Sequence, residues 1–156
     1  GAVRQILPEA RVILVRRDPR DMLLSIYRNV FADGTHRYAY SQRDLAAYYR
    51  MFVDMVEFWR ARTPDAFHEL WYEDLVADPE AQTRRLLAAC DLEWEDACLD
   101  FHRSARRVTT LSVSQVRKPI YRSSAAAWRK YEADLAKMLE ALGPLAAGRE
   151  DTPPEE

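Results

Sequence analysis

The sequence predicts an α/β fold in which a short parallel sheet is flanked by helices. Three observations carry that expectation. The apolar run at residues 12–15 leads straight into Arg16-Arg17-Asp18-Pro19-Arg20-Asp21, which reads as a strand end, a tight turn and a helix start. A second apolar segment, residues 66–72, is followed by the same device, Asp78-Pro79-Glu80. Between the two, residues 42–62 repeat apolar side chains at helical spacing. Strands that alternate with helices favour a parallel sheet, because the chain returns through a helix before it pairs again.

The first strand is expected at residues 11–16 and its helix at 19–31. Asp18 is a good N-cap, and Pro19 suits the first helical position, where a missing N–H costs nothing. Met22, Leu23, Ile26 and Val30 cluster on one face, placed to pack on a sheet. Ser25 lies about two turns beyond Asp18, and so on Asp18's face. An arginine at the strand's C-terminal lip (Arg17), a serine hydroxyl (Ser25) and a helix N-terminus near one crevice suit a phosphate. The competing reading is that these arginines are solvated or pair with Asp18 and Asp21.

Asp33-Gly34-Thr35 breaks the helix, and residues 35–41, with His36, Tyr38 and Tyr40, read as an ordered surface loop. A long amphipathic helix is expected at 42–62, with Leu45, Tyr48, Tyr49, Phe52, Met55, Val56 and Trp59 as core. Tyr72 falls at the C-terminal lip of the second strand, where open α/β sheets bind ligands. The next helix, 79–90, buries Leu86 and Leu87 and exposes Arg84 and Arg85. A further helix, 93–104, offers Trp94, Cys98, Leu99 and Phe101 to the core. Residues 105–124 have no clear period; with Arg106, Arg107, Arg117, Lys118 and Arg122 they hold the strongest local basic excess in the chain. A last helix is expected at 125–142, packing Trp128, Tyr131, Leu135, Met138 and Leu139 inward, and Gly143-Pro144 stops it.

Composition bounds the class. With 156 residues, 48% hydrophobic and 31% charged, this is one globular domain or part of one. A net charge of −2 argues against a generic polyanion or nucleic-acid binder. No apolar run approaches a membrane span. Cys90 and Cys98 read as free thiols, and His36, His68 and His102 lack the spacing of a zinc site.

Three motifs, in order, resemble sulfotransferases that use 3′-phosphoadenosine 5′-phosphosulfate (PAPS). Arg17-Asp18-Pro19-Arg20-Asp21 with Ser25 is similar to that family's 3′-phosphate-binding segment; Tyr72-Glu73-Asp74-Leu75 to its strand-end Tyr-Glu-Asp motif; and the stretch from Ser112 to Tyr121, followed by Trp128, to the nucleotide-covering loop of tyrosylprotein sulfotransferases. The likeness is closer still to a bacterial-type branch often fused to helical repeats. The resemblance implies a P-loop-like three-layer fold and a sulfuryl transfer from PAPS to an acceptor hydroxyl or amine, with no metal. It also implies nucleotide contacts from Arg17 and Ser25 to the 3′-phosphate, from Tyr72 to the adenosine or phosphosulfate side, and from Ser112, Gln115, Val116 and Lys118 in the covering loop. The family's Lys/Arg-containing phosphosulfate loop and its catalytic base lie upstream of the Arg-Asp-Pro segment and find no match here, so residues 1–142 are expected to be the C-terminal portion of such a domain and 143–156 a disordered tail. One position departs from the tyrosylprotein pattern: Ala127 stands where that family has a lysine before the tryptophan. The alternatives are a non-catalytic binding module derived from such a domain and another P-loop-like nucleotide transferase or kinase. The acceptor (protein tyrosine, sugar or small molecule) is not legible.

Overall fold

A computed structural model describes residues 2–31, 34–100 and 126–147. The chain is mixed α/β and mostly helical. Its described strands, β1 (Val12–Arg16) and β2 (Phe67–Trp71), form a two-stranded parallel sheet in the register Val12↔Phe67 to Arg16↔Trp71. The chain divides into two compact units, and each is assembled from two separate stretches: Gly1–Arg16 with Asp65–Ser123, and Arg17–Pro64 with Ser124–Glu156.

The first unit contains the sheet, preceded by the short helix α1 (Ala2–Ile6). Paired residues of parallel strands share a face, so Arg16, Glu69 and Trp71 lie together. Arg16 donates to Glu69 at 3.1 Å and its guanidinium stands 4.7 Å from the Trp71 ring centre. Tyr72 does not end the second strand as expected. It opens a helix the sequence reading missed, α4 (Tyr72–Ala77), whose first turn carries Glu73 and Asp74, charges suited to a helix N-terminus.

α5 (Pro79–Ala89) begins as anticipated: Asp78 accepts the Ala81 N–H at 3.1 Å and Pro79 takes the first helical position. It packs on β2, with Leu86 and Leu87 half-buried and Arg84 and Arg85 exposed. It ends with the Leu92 N–H reaching the Leu87 carbonyl at 2.9 Å and the Asp91 N–H reaching that of Ala88 at 3.1 Å. This C-cap places Asp91 at a φ of 56°, and Arg11 closes on the Asp91 carboxylate. The helix expected over 93–104 is absent from its described part. Only a 3-10 turn, Asp96–Cys98, forms before residue 100. Cys90 and Cys98 are free and half-buried.

The second unit is helical. α2 (Pro19–Tyr27) stops four residues short of the expected end, and Val30 is 88% exposed rather than packed. α3 (Gln42–Arg62) has the predicted bounds: extended Ser41 caps it, accepting from the Asp44 N–H at 3.3 Å. The helix expected at 125–142 is broken. A 3-10 segment, Ala127–Tyr131, and a turn precede α6 (Ala136–Leu142), and Gly143–Ala146 adds a further 3-10 turn. The core joins Leu23 and Leu24 of α2, Leu45, Ala46 and Tyr49 of α3, Trp128, and Leu135, Met138 and Leu142 around α6. Gln42 clamps α3 to this C-terminal stretch, donating to the Asp134 carbonyl at 2.8 Å and accepting from the Met138 N–H at 3.1 Å. Two residues expected in the core, Tyr48 and Met55, are instead 51% and 52% exposed on α3, and Tyr131 is 36% exposed.

Candidate functional site

The head of α2 is where the sequence analysis expects a phosphate. Asp18 accepts the Arg20 N–H at 2.8 Å. The Arg20 guanidinium folds back on the same carboxylate, with Nε at 3.0 and 3.2 Å from its two oxygens and Nη2 at 2.6 Å. The Trp128 ring lies 4.2 Å from the Arg20 guanidinium carbon, a cation–π contact. Asp21 is engaged further along the chain: one carboxylate oxygen accepts the Ala126 N–H at 2.7 Å, the other the Trp128 N–H at 2.8 Å. Asp18, Arg20 and Asp21 are 9, 5 and 2% exposed. A buried ion pair of this kind holds only when its remaining polar atoms are satisfied, and here they are.

Arg17 precedes that network in the chain and Ser25 follows it. Arg17 is half-buried at the entry to α2, and Ser25, in the second turn, is exposed. At the helix N-terminus Pro19 has no N–H and the Arg20 N–H is taken by Asp18. The acid-pairing reading is correct for Arg20, through Asp18; Arg16 pairs instead with Glu69 on the second strand.

Ala126 is held by Asp21 at a φ of 56°, in the left-handed region. Relief of that Cβ strain outweighs the extra chain entropy of glycine, so Ala126→Gly is expected to raise stability by about 0.5–1 kcal/mol. A urea midpoint that falls instead would contradict this backbone conformation. Ala127 follows, half-buried, in the 3-10 segment.

Of the other predicted residues, Tyr72 is half-buried at the start of α4 in the first unit, directly after β2. Ser112, Gln115, Val116 and Lys118 lie outside the described residues. The loop at 35–41 is packed by its tyrosines. The Tyr40 hydroxyl accepts from the Phe31 N–H at 2.8 Å and donates to the Phe31 carbonyl at 3.2 Å. Tyr38 stacks on Tyr48 with ring centres 4.1 Å apart. Burial, and then the neighbouring Tyr48 hydroxyl, raise the Tyr38 phenol above its ordinary value. A cavity of about 270 Å³ in the first unit, lined by His68, Gln82 and Arg85 among others, contains none of the predicted residues. Among the described residues, no three acidic, histidine or cysteine side chains are grouped to hold a metal, and no helix is long and apolar enough to cross a membrane.

Sequence reasoning missed the part played by Asp21. Its position in the first turn was visible, but its partners are more than a hundred residues away.

Comparison with known proteins bears on the same segment. The chain is 37% identical over 144 residues to an uncharacterized protein of Aquifex aeolicus (strain VF5); the match covers 91% of this chain and 19% of that protein. The chain thus spans about a fifth of that relative's length. The family model described as sulfotransferase family matches residues 1–96, more than half of the chain, and the matched stretch includes Arg17, Ser25 and Tyr72. This chain belongs to the sulfotransferase family.

Proposed function

We propose that this chain is the nucleotide-recognition part of a PAPS-dependent sulfotransferase of the bacterial, tyrosylprotein-like branch, with the P-loop-like three-layer fold of that group. The observation that carries the reading is the sulfotransferase-family match over the segment that holds Arg17, Ser25 and Tyr72. Within it, a buried Asp18–Arg20–Asp21 network fixes the start of α2, the helix that Arg17 precedes and that carries Ser25. A guanidinium matches a phosphate through two parallel charge-assisted bonds, and a serine hydroxyl adds a third donor. Tyr72 is assigned, by the same resemblance, to the adenosine or the phosphosulfate side. Ser112, Gln115, Val116 and Lys118 belong to the covering loop.

In the reaction, the acceptor oxygen or nitrogen forms a bond to sulfur while the bond from sulfur to the bridging phosphate oxygen breaks. The acceptor proton passes to a base, and 3′-phosphoadenosine 5′-phosphate leaves. The donor's negative charge calls for fixed positive groups and N–H donors around the leaving oxygen. The role of this chain is to hold the 3′-phosphate, so that remote binding energy orients the reacting group.

Calorimetric titration with 3′-phosphoadenosine 5′-phosphate, with AMP as the control, tests the reading. The expected result is binding that requires the 3′-phosphate. Equal affinity for both nucleotides would overturn the 3′-phosphate assignment. No binding of either by a folded chain would favour the non-catalytic module.

A further inference from the structure

α3 carries two apolar faces, and the core uses one of them. Leu45, Ala46, Tyr49 and Val56 are buried on the first. The second runs Asp44, Tyr48, Met51, Met55, Phe58, Arg62, with alternating intervals of four and three residues. Its four central side chains are 51, 68, 52 and 45% exposed, and both charged ends are exposed. Intervals of four and three define the seam along which two helices pack. A contiguous exposed apolar patch of a few hundred Å² is often functional, and here its composition, more than its extent, is informative.

The composition of the stripe identifies its occupant. It is complementary to its own reverse about Val53: Asp44 mirrors Arg62, Tyr48 mirrors Phe58, and Met51 mirrors Met55. Two α3 helices laid antiparallel across a two-fold axis would therefore set aspartate against arginine at both ends, aromatic against aromatic inside them, and the methionines at the centre. We propose that this face is a self-association surface on which a second copy of the chain docks its α3 antiparallel.

Further details fit that geometry. Ala47 and Ala61 flank the seam, and their small side chains let helices approach closely. Tyr48 is held in place by its stack on Tyr38, and Arg62 lies over the Phe58 ring at 3.5 Å, so the aromatic anchors are fixed before contact. Asp54 lies beside the midpoint and faces its own symmetry mate, which weakens the pair. Four half-exposed side chains of this size supply roughly 400 Å² per copy, at the low end for specific interfaces. The association is therefore weak and reversible. It is independent of the nucleotide reading.

Sedimentation velocity of the full chain, from micromolar to millimolar concentration, tests this. The native chain is expected to shift from monomer to dimer as concentration rises. Met51→Asp should abolish the shift while leaving the helical circular dichroism unchanged. Asp44→Arg, which sets arginine against arginine, should weaken dimerisation at least tenfold, and Asp44→Arg with Arg62→Asp should restore it. A native chain that stays monomeric throughout would overturn the proposal. So would a double reversal no stronger than Asp44→Arg alone, because any other occupant of the stripe lacks the mirrored charges.

Discussion

Asp21→Ala is expected to destabilise the second unit by about 3–5 kcal/mol, since it removes two charge-assisted hydrogen bonds worth roughly 1.5–3 kcal/mol each. The carboxylate is 2% exposed and accepts from the N–H groups of Ala126 and Trp128 at 2.7 and 2.8 Å. Without it, the buried Trp128 N–H has no water to turn to, and the tryptophan that covers Arg20 loses its anchor. Asp21→Asn keeps one acceptor oxygen and should lose about half as much. Urea unfolding followed by tryptophan fluorescence reads both variants. A loss below about 1 kcal/mol for the alanine variant would mean that these two bonds do not hold the C-terminal stretch.

Arg17→Ala should weaken binding of 3′-phosphoadenosine 5′-phosphate by about 10- to 100-fold, the effect of losing one charge-assisted phosphate contact of roughly 1.5–3 kcal/mol. Affinity for AMP should not change. Arg17→Lys retains the charge but not the planar fork, and should recover only part of the loss. Ser25→Ala removes a single hydroxyl donor on the same helix and should cost about fivefold. Urea unfolding of the same variant separates a loss of affinity from a loss of stability. Undiminished affinity for the 3′-phosphorylated nucleotide in Arg17→Ala would refute the role given to this arginine.

The legible parts of this molecule are those written in local chemistry. Asp18-Pro19 and Asp78-Pro79 each mark a helix start, and α2 and α5 begin there, because a cap is satisfied within three residues of itself. Helix ends were less legible: α2 stops at Tyr27, well before the Asp33-Gly34 pair taken as its breaker. The broken C-terminal helix could not be read at all. Apolar spacing from Trp128 to Leu142 is helical, but long-range hydrogen bonds draw the N–H groups of Ala126 and Trp128 to Asp21. The same limit applies to α3. Periodicity shows which residues line up along it, but not which of two stripes the core takes, so Tyr48 and Met55 were assigned to the interior. At the candidate site, pairing of an arginine with Asp18 was one of the readings the sequence offered, and Arg20 makes it. The hold of Asp21 on the Ala126 and Trp128 N–H groups, and the Trp128 ring over Arg20, were not legible, because sequence places them more than a hundred residues apart.

The assembly of each unit from two stretches has a consequence for the order in which the chain folds as it is made. α2 and α3 are made well before four of the nine residues in their core (Trp128, Leu135, Met138 and Leu142), which belong to the later of the unit's two stretches. Until those residues leave the ribosome, Leu23, Leu24, Leu45, Ala46 and Tyr49 face solvent, and closing the unit brings together segments separated by most of the sequence, a slow step during which sticky surface is exposed. A fragment cut at residue 96, where the family match ends, would be left permanently in that unfinished state.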